Sequence, residues 1–413
     1  LWARVLAGVA VGATLGTVFQ QQPWFFGYRN ADLGPLGMLV VRLLKALATP
    51  LVFVSILDAF LKTAISLRSG LRLLAVCALN VSVAMTIGLL ILDVGEPGTR
   101  WAGKLEALGG LVGGASGPRA ADASLDPLKN LAGFVPESVV APFSGNLVLS
   151  IVLLAVLTGV ALRQVRDQAG PELAPALVTT AHLVDVFQRV ITRMLLFVAD
   201  LMPFAVAFIV ADVVGKAGIG VFSVLWIFLV TMLAGLLIHA LGWYPLLGWV
   251  AGRTSPLRFF RGALDPVVTA VSCNSSLATM PVTLEALKRL GVREESARLS
   301  ACVGTNFNND GIMLYEAMAT LFLCQAMGLH LSLPEQLSVV AASVMAGVGI
   351  AGIPEAGLVI LPLVLASAGL SEAAVAVAIP LIIPVDWILA RVRSGVNVLA
   401  DMVVALVLDR FEA

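Results

Sequence analysis

Residues 305–316 read TNFNNDGIMLYE. Asn306, Asn308, Asn309, Asp310 and Gly311 lie there inside Leu299–Met327, a segment that is otherwise apolar. In a soluble protein such a run is a loop. Here the flanks, SACVG before it and MLYEAMATLFLCQAMG after it, have the composition of membrane helix. Within hydrocarbon, irregular polar backbone persists only where protein buries it or where it lines a cavity. The stretch therefore reads as a break in a membrane helix at an ion or substrate site.

Composition points the same way. Of 413 residues, 59% are hydrophobic and 13% charged, against about 25% charged in ordinary soluble domains. Mean hydropathy is +0.98. The fold class is an all-α polytopic membrane protein. Formal net charge is zero, so no basic excess draws nucleic acid, and no Cys/His spacing suits zinc. Cys77, Cys273, Cys302 and Cys324 lie in apolar surroundings and read as small buried hydrophobes. The first apolar run contains Arg4 and no clear cleavage site, so it reads as a transmembrane helix and not a signal peptide.

A span takes about 20 mainly apolar residues. That rule places helices near Leu1–Phe19, Leu33–Leu61, Leu71–Leu92, Asn146–Leu162, Leu177–Val214 and Val221–Val250. The fifth is long for a straight span and contains Arg189, Arg193, Asp200 and Pro203, so it is expected to tilt. The Gly-rich stretch Gly95–Gly145 reads as an external loop. Lys62, Arg68 and Arg72, then Arg163 and Arg166, then Arg253, Arg258 and Arg261 all fall on one face. The positive-inside rule makes that face cytoplasmic and puts the N-terminus inside.

Beyond Arg261 the alternation fails. Ala263–Leu284 is apolar, yet basic clusters flank both ends and SCNSSLATMP interrupts its middle. A re-entrant hairpin satisfies both facts; one span with a polar patch is the alternative. Leu337–Gly369 repeats the pattern around AGVGIAGIPEAG, which its glycines and Pro354 make a poor helix. A last helix runs near Ala373–Leu408. Each hairpin is followed by a helix with an Asn and an Asp: Asn308 and Asp310, then Asn397 and Asp401. Such duplication of broken segments points to a secondary transporter's binding site.

In the last helix Asp386, Arg393, Asn397 and Asp401 share a stripe roughly 60–80° wide. Each ionisable group at the bilayer centre costs about 2.5–3.5 kcal/mol, so the stripe must face a polar cavity or pair internally. An Arg393–Asp386 ion pair that only holds helices together is the internal version. Arg391 lies off the stripe. An arginine in a cavity suits a carboxylate, because its planar fork can hold both oxygens. Asp310, Asp401, Asn308, Asn397 and loosened carbonyls offer the hard oxygens a small cation prefers, while hairpin tips offer helix N-termini to an anion. An anion and cations held side by side is symport. Glu316, just past the break, is a candidate to carry a proton in one half of a cycle; a permanently bonded acid is the other reading. Glu355 is left without a role. A hydrolase using Ser275 or Ser276 would need a base, and His182, His239 and His330 stand in no motif with a serine, so the chain is not read as an enzyme. A pore lined by polar helices is a further alternative.

The residues also resemble a family. LGPLGMLVVRLLKALATPLVF near the start, SSLATMPVT, NNDGIMLYEA, AGIPEAGLV and VDWILARVRSGVNVLAD are similar, in order, to the dicarboxylate/amino acid:cation symporters, the glutamate transporter family. The resemblance implies eight transmembrane helices, two re-entrant hairpins and a homotrimer in which a transport core moves like an elevator against a scaffold. Residues 1–252 would be mainly scaffold. Residues 253–413 would be the core, with hairpins at about 256–287 and 334–370, helix seven at about 294–327 and helix eight at about 373–409. It implies Na+ ligation by Gly304, Asn308, Asp310, Asn397 and Asp401. Substrate contacts fall on Ser276, Ile353, Gly357, Arg393, Ser394 and Asn397, and a proton on Glu316.

Departures carry information too. Ala390 stands where amino acid transporters place an aspartate for the amine, and Asn309 and Ile312 replace the Met and Thr of the family's Asn-Met-Asp-Gly-Thr signature. Cys77 and Asn80 stand for a Tyr and a Thr that help one sodium site. The expectation is a Na+- or H+-coupled uptake symporter for a small organic anion in a bacterial inner membrane. A C4-dicarboxylate leads; an acidic or neutral amino acid is second, and an anion channel is the distant alternative.

Overall fold

The computed structural model describes residues 2–24, 27–62, 67–101, 135–144, 148–348, 356–370 and 372–412. Its regular elements are all helical. The first group comprises α1 (Trp2–Phe19), α2 (Asn30–Lys62), α3 (Leu67–Gly95), α4 (Val148–Gln168) and α5 (Ala174–Ala217). Both α1 and α2 lie along α5. The approach of α1 is made by Gly8, Gly12 and Gly16, which share one face. A Cβ on Gly12 would stand 2.8 Å from Val210 Cβ, and one on Gly16 2.7 Å from Val214 Cβ. Small residues at this spacing let helix backbones meet where dispersion, and not the hydrophobic effect, must hold them. With 44 residues and Pro203 inside it, α5 is about 66 Å long.

The second group carries the polar breaks. α6 (Val221–Ile238) passes through a π turn, His239–Trp243, into α7 (Tyr244–Val250). α8 (Pro256–Cys273) and α9 (Ser276–Leu290) pack on each other across a two-residue turn. Asn274 ends α8 in the left-handed region at φ 53°, and the Ser275 hydroxyl accepts from Ala278 N at 3.1 Å to cap α9. Asparagine tolerates that conformation and serine satisfies an orphan N–H. α10 (Glu294–Arg298) runs into a π turn, Leu299–Val303, and a 3-10 turn, Gly304–Asn306, before α11 (Asp310–Ala326) begins. The interruption falls on the asparagine-rich stretch, where short polar side chains compete with helical hydrogen bonds. α12 (Leu333–Val348), α13 (Ala356–Ser367) and α14 (Glu372–Glu412) complete the chain.

α11 is the axis of this group. Asp310 to Cys324 are all buried, and α3, α6, α12, α13 and α14 pack around them. A helix apolar on every side belongs at the centre. Tyr315, Phe228, Phe322 and Trp101 form an edge-on aromatic cluster, with Trp101 and Phe322 centroids 5.1 Å apart.

Two sequence expectations change. The stretch read as an external loop from Gly95 starts with a 3-10 turn, Pro97–Trp101, whose Trp101 is buried by that cluster. Residues 102–134 and 145–147 lie outside the described residues. Cys77 and Cys324 are buried, but Cys273, at the end of α8, is exposed and Cys302 is half-buried. Among the described residues, two helices are long and apolar enough to cross a membrane by length and composition alone, Ser69–Gly95 and Leu225–Val250. The other long helices interrupt their apolar runs with charge, such as Arg189 and Arg193 in α5 and Asp386 and Arg393 in α14.

Candidate functional site

The polar stripe of α14 faces the start of α11, and two clusters form there. Arg393 is the centre of the first. Its Nη1 and Nη2 donate to the two oxygens of Asp386 at 3.0 and 3.1 Å, and both side chains are buried. The guanidinium lies 3.9 Å from the Tyr315 ring centroid, a cation–π contact that is strongest when dry. Its other side meets α13, because a Cβ on Gly357 would stand 2.6 Å from Cζ, Nη1 and Nη2. Only glycine lets the backbone come this close. The ion pair joins two residues of one helix, so it does not hold two helices together. It also uses one N–H from each terminal nitrogen of a group that has five. Glu316, one residue beyond Tyr315, is fully buried, and neither of its oxygens has a hydrogen-bond partner among the described residues.

The second cluster surrounds Asp310. Tyr244 donates its hydroxyl to Asp310 Oδ2 at 3.0 Å, and His239 Nε2 lies 3.2 Å from the same oxygen. Toward an ionised carboxylate, which only accepts, Nε2 would be the donor. Asp310 Oδ1 is buried with no partner among the described residues. Beside it, Trp243 Nε1 donates to Asn80 Oδ1 at 2.8 Å, and Asn80 Nδ2 donates to Asn308 Oδ1 at 3.3 Å. Asn397 Oδ1 accepts from Gly311 N at 2.8 Å and so ties α14 to the first turn of α11. Asp401 lies one turn further along α14, and its Oδ1 is buried with no partner among the described residues.

These contacts test the cation roles one by one. A small cation wants hard, unshared oxygens. Asp310 Oδ1 and Asp401 Oδ1 fit, being buried carboxylate oxygens that no donor among the described residues satisfies, and leaving such charge dry and uncompensated is costly. Two other expected ligands already accept hydrogen bonds: the Gly304 carbonyl from Phe307 N at 2.8 Å and Asn308 N at 2.9 Å, and Asn308 Oδ1 from Asn80 Nδ2 at 3.3 Å, a single bond that leaves the amide oxygen its second lone pair. Asn397 offers no free side-chain acceptor at the lone pair Gly311 occupies.

Of the predicted substrate contacts, Ser394 donates to Asn274 Oδ1 and to the Ala390 carbonyl, each at 3.1 Å. That bond joins the α8–α9 tip to α14. Ser276 opens α9 with its hydroxyl buried and without a partner among the described residues. Gly357 touches Arg393 directly. Ile353 and Glu355 lie outside the described residues. Four contributors escape a sequence reading of helices seven and eight: His239, Trp243 and Tyr244 from the π turn and its end, and Tyr315 beneath the guanidinium. One signal was available. A histidine inside the apolar run LLIHALGWY is an ionisable group in a membrane segment, which by default marks function.

Comparison with known proteins gives the setting for this geometry. The model of the sodium:dicarboxylate symporter family matches residues 1–411. An excitatory amino acid transporter of Caenorhabditis elegans is 32% identical over 266 residues, which cover 62% of this chain and 50% of that protein. Excitatory amino acid transporter 3 of Mus musculus is 37% identical over 202 residues, 48% of this chain and 38% of that one. A C4-dicarboxylate transport protein of Anaeromyxobacter sp. (strain K) is 27% identical over 435 aligned positions, 100% of this chain and 90% of that protein. The match thus spans about half the length of the nematode transporter and nearly all of the bacterial one.

Proposed function

Because the chain belongs to the sodium:dicarboxylate symporter family, we propose that it is a secondary symporter that couples uptake of a C4-dicarboxylate to Na+, with H+ as a second coupling ion. Arg393 holds one carboxylate of the substrate. Its in-line edge is occupied by Asp386, so the substrate carboxylate either takes the side edge through Nε or displaces Asp386. The hydroxyls of Ser276 and Ser394 and the backbone at Gly357 complete the contacts from the two hairpins. Asp310 and Asp401 hold the cation, which supplies the positive charge that offsets their buried carboxylates.

The observation that carries the substrate is Ala390. It is buried, and Ser394 bonds its carbonyl, so a methyl stands where an amino acid transporter needs an acid for the amine. A second reading, an acidic amino acid, is favoured by Asp386, whose carboxylate lies beside Arg393 and could meet an amine there. The larger architecture belongs to the same proposal: a homotrimer in a bacterial plasma membrane, with eight spans, two re-entrant hairpins (α8–α9 and α12–α13), and a core of residues 253–413, joined by α3 and α6 that pack around α11, moving against a scaffold drawn mainly from residues 1–252. The exposed apolar stripe of α5, Phe187, Val190, Met194, Phe197 and Leu201, offers a face for lipid or a second copy.

Uptake into proteoliposomes decides between the substrates. Labelled succinate, malate and aspartate are each offered with a sodium gradient, a proton gradient or none. Gradient-driven accumulation of succinate or malate supports the proposal. Uptake of aspartate alone would overturn the argument from Ala390. Flux of these anions that no gradient drives uphill would mean a channel.

A further inference from the structure

We infer that the π turn between α6 and α7 is a positioning device for the cation site: His239 and Tyr244, acting through Asp310 and not as ligands, clamp its Oδ2 and so aim its Oδ1 at the ion. The inference rests on the proposal that Asp310 holds sodium.

The clamp begins with what an aspartate lacks. The χ2 torsion of a carboxylate has only a broad preference, so Asp310 needs outside contacts to present one oxygen in one direction. Two neighbours supply them. The Tyr244 hydroxyl donates to Oδ2 at 3.0 Å, and His239 Nε2 lies 3.2 Å from the same oxygen. A carboxylate oxygen has two lone-pair sites, and both sites of Oδ2 are met by these two side chains. Oδ1 is buried with no partner among the described residues. One oxygen of Asp310 thus meets the protein, and the other is left for a cation.

The π turn is what lets two side chains of one helix reach one atom. His239 and Tyr244 are five residues apart, which in an α-helix would set them about 140° apart around the axis. Here the Tyr244 N–H bonds the His239 carbonyl, the i→i+5 closure of a π turn, and the wider turn brings both side chains to Asp310. Their rings meet edge-on with centroids 4.5 Å apart, so each steadies the other. Trp243 donates to Asn80 Oδ1 at 2.8 Å and ties the turn to α3. The imidazole, the phenol and the acid are all fully buried. His239 Nδ1 is buried too, with no partner among the described residues, and an unsatisfied buried atom costs stability. The contact that Nε2 makes at Asp310 is what offsets that cost.

Sodium binding to the purified full-length protein tests the clamp, read by thermal unfolding against sodium concentration with choline chloride as the ionic-strength control. A ligand that binds only the folded state stabilises it by an amount set by its concentration relative to Kd. Wild-type protein should be stabilised by sodium, and Asp310→Asn should abolish the response. Tyr244→Phe and His239→Leu each remove one contact to Oδ2, and each should raise the sodium concentration needed for a given shift by about tenfold. His239→Gln returns an N–H donor without the ring and should stay within about threefold of wild type. A role in packing alone predicts the reverse ranking, because leucine suits a buried apolar helix better than glutamine does. It would also move the melting temperature in choline while leaving the sodium dependence alone. Should His239→Leu fail to fold, Tyr244→Phe carries the test, since it removes a single oxygen. Sodium dependence within about twofold of wild type in the variants that fold, Tyr244→Phe among them, would overturn the inference while sodium at Asp310 stands. A wild type that ignores sodium, or an Asp310→Asn protein that still responds, would overturn sodium binding at Asp310 and the clamp with it.

Discussion

Two buried clusters, each with a pair of carboxylic acids, lie on opposite sides of Asn397, and they are satisfied in different ways. Around Arg393, Asp386 is mated through both oxygens to a guanidinium that also rests on Tyr315. Around Asp310 and Asp401 no arginine or lysine pairs with either acid among the described residues, and each keeps an open oxygen. In the first cluster the protein supplies its own counter-charge. In the second it leaves room for one to come from solution. The difference suggests an order. With Arg393 already neutralised by Asp386, the site has little field of its own to draw a dianion. A cation at Asp310 and Asp401 adds that field, and low dielectric strengthens it. Under the proposed function, coupling would follow from charge balance, with the anion binding well only after the cation.

The largest effect is expected at Arg393. Arg393→Ala strands Asp386 as a buried unpaired acid, a loss of about 3–5 kcal/mol for one partner of a buried pair, and dianion uptake should vanish. Arg393→Lys separates the two consequences, since lysine keeps the charge but not the fork. The lysine variant should recover most of the thermal stability while substrate affinity stays at least about tenfold weaker. Uptake at wild-type affinity in either variant would remove Arg393 from the substrate site. Next comes Gly357→Ala, whose methyl would stand 2.6 Å from the guanidinium. Substrate affinity should fall about tenfold with the sodium-only thermal response unchanged. An equal loss in both readouts would break the separation of the two clusters.

Ala390→Asp tests the division from the substrate's side. It places an acid one turn before Ser394, where an amine can meet it. Competition between succinate and aspartate should swing toward aspartate by about tenfold, or about 1.4 kcal/mol. The sodium response should hold. An unchanged ratio would mean that position 390 does not face the substrate.

How much of this could be read from the chain depends on how local each feature is. The helical class and the break at Thr305–Glu316 are properties of composition and of short polar residues in an apolar run, and they are written in the sequence itself. The stripe of α14 is also local, because helical spacing alone sets Asp386 seven residues, close to two turns, from Arg393. What pairs across helices was not legible. Asn80 meets Asn308 over 228 positions, and Tyr244 meets Asp310 over 66. The π turn at His239–Trp243 has no hydrophobic period to betray it. Expected ligands Gly304 and Asn308 carry the right atoms, and only the contacts reveal which hydrogen bonds those oxygens already accept. Cys273 reads as a small buried hydrophobe like the other cysteines, yet it sits between Ser272 and Asn274 at the exposed end of α8.

The smallest effect sharpens the comparison most finely, because it concerns the one acid that neither cluster satisfies. Glu316 follows Tyr315 in α11, and its carboxyl is buried without a hydrogen bond among the described residues. Arg393 and Asp386 are near, but they are bound to each other, so little net field remains to hold an ionised Glu316. If its proton travels with the substrate, wild-type uptake falls as external pH rises, since the ionised acid adds a third negative charge beside an incoming dianion. Glutamine imitates the neutral acid at every pH. Glu316→Gln should therefore keep the low-pH rate of substrate entry and flatten the decline, with a change of no more than a fewfold at neutral pH and a melting temperature close to wild type. The measurement is initial uptake across a pH series under a constant sodium gradient. A profile that slopes equally in both proteins would assign the proton elsewhere and leave Glu316 a buried acid of the Arg393 cluster, with no part in coupling.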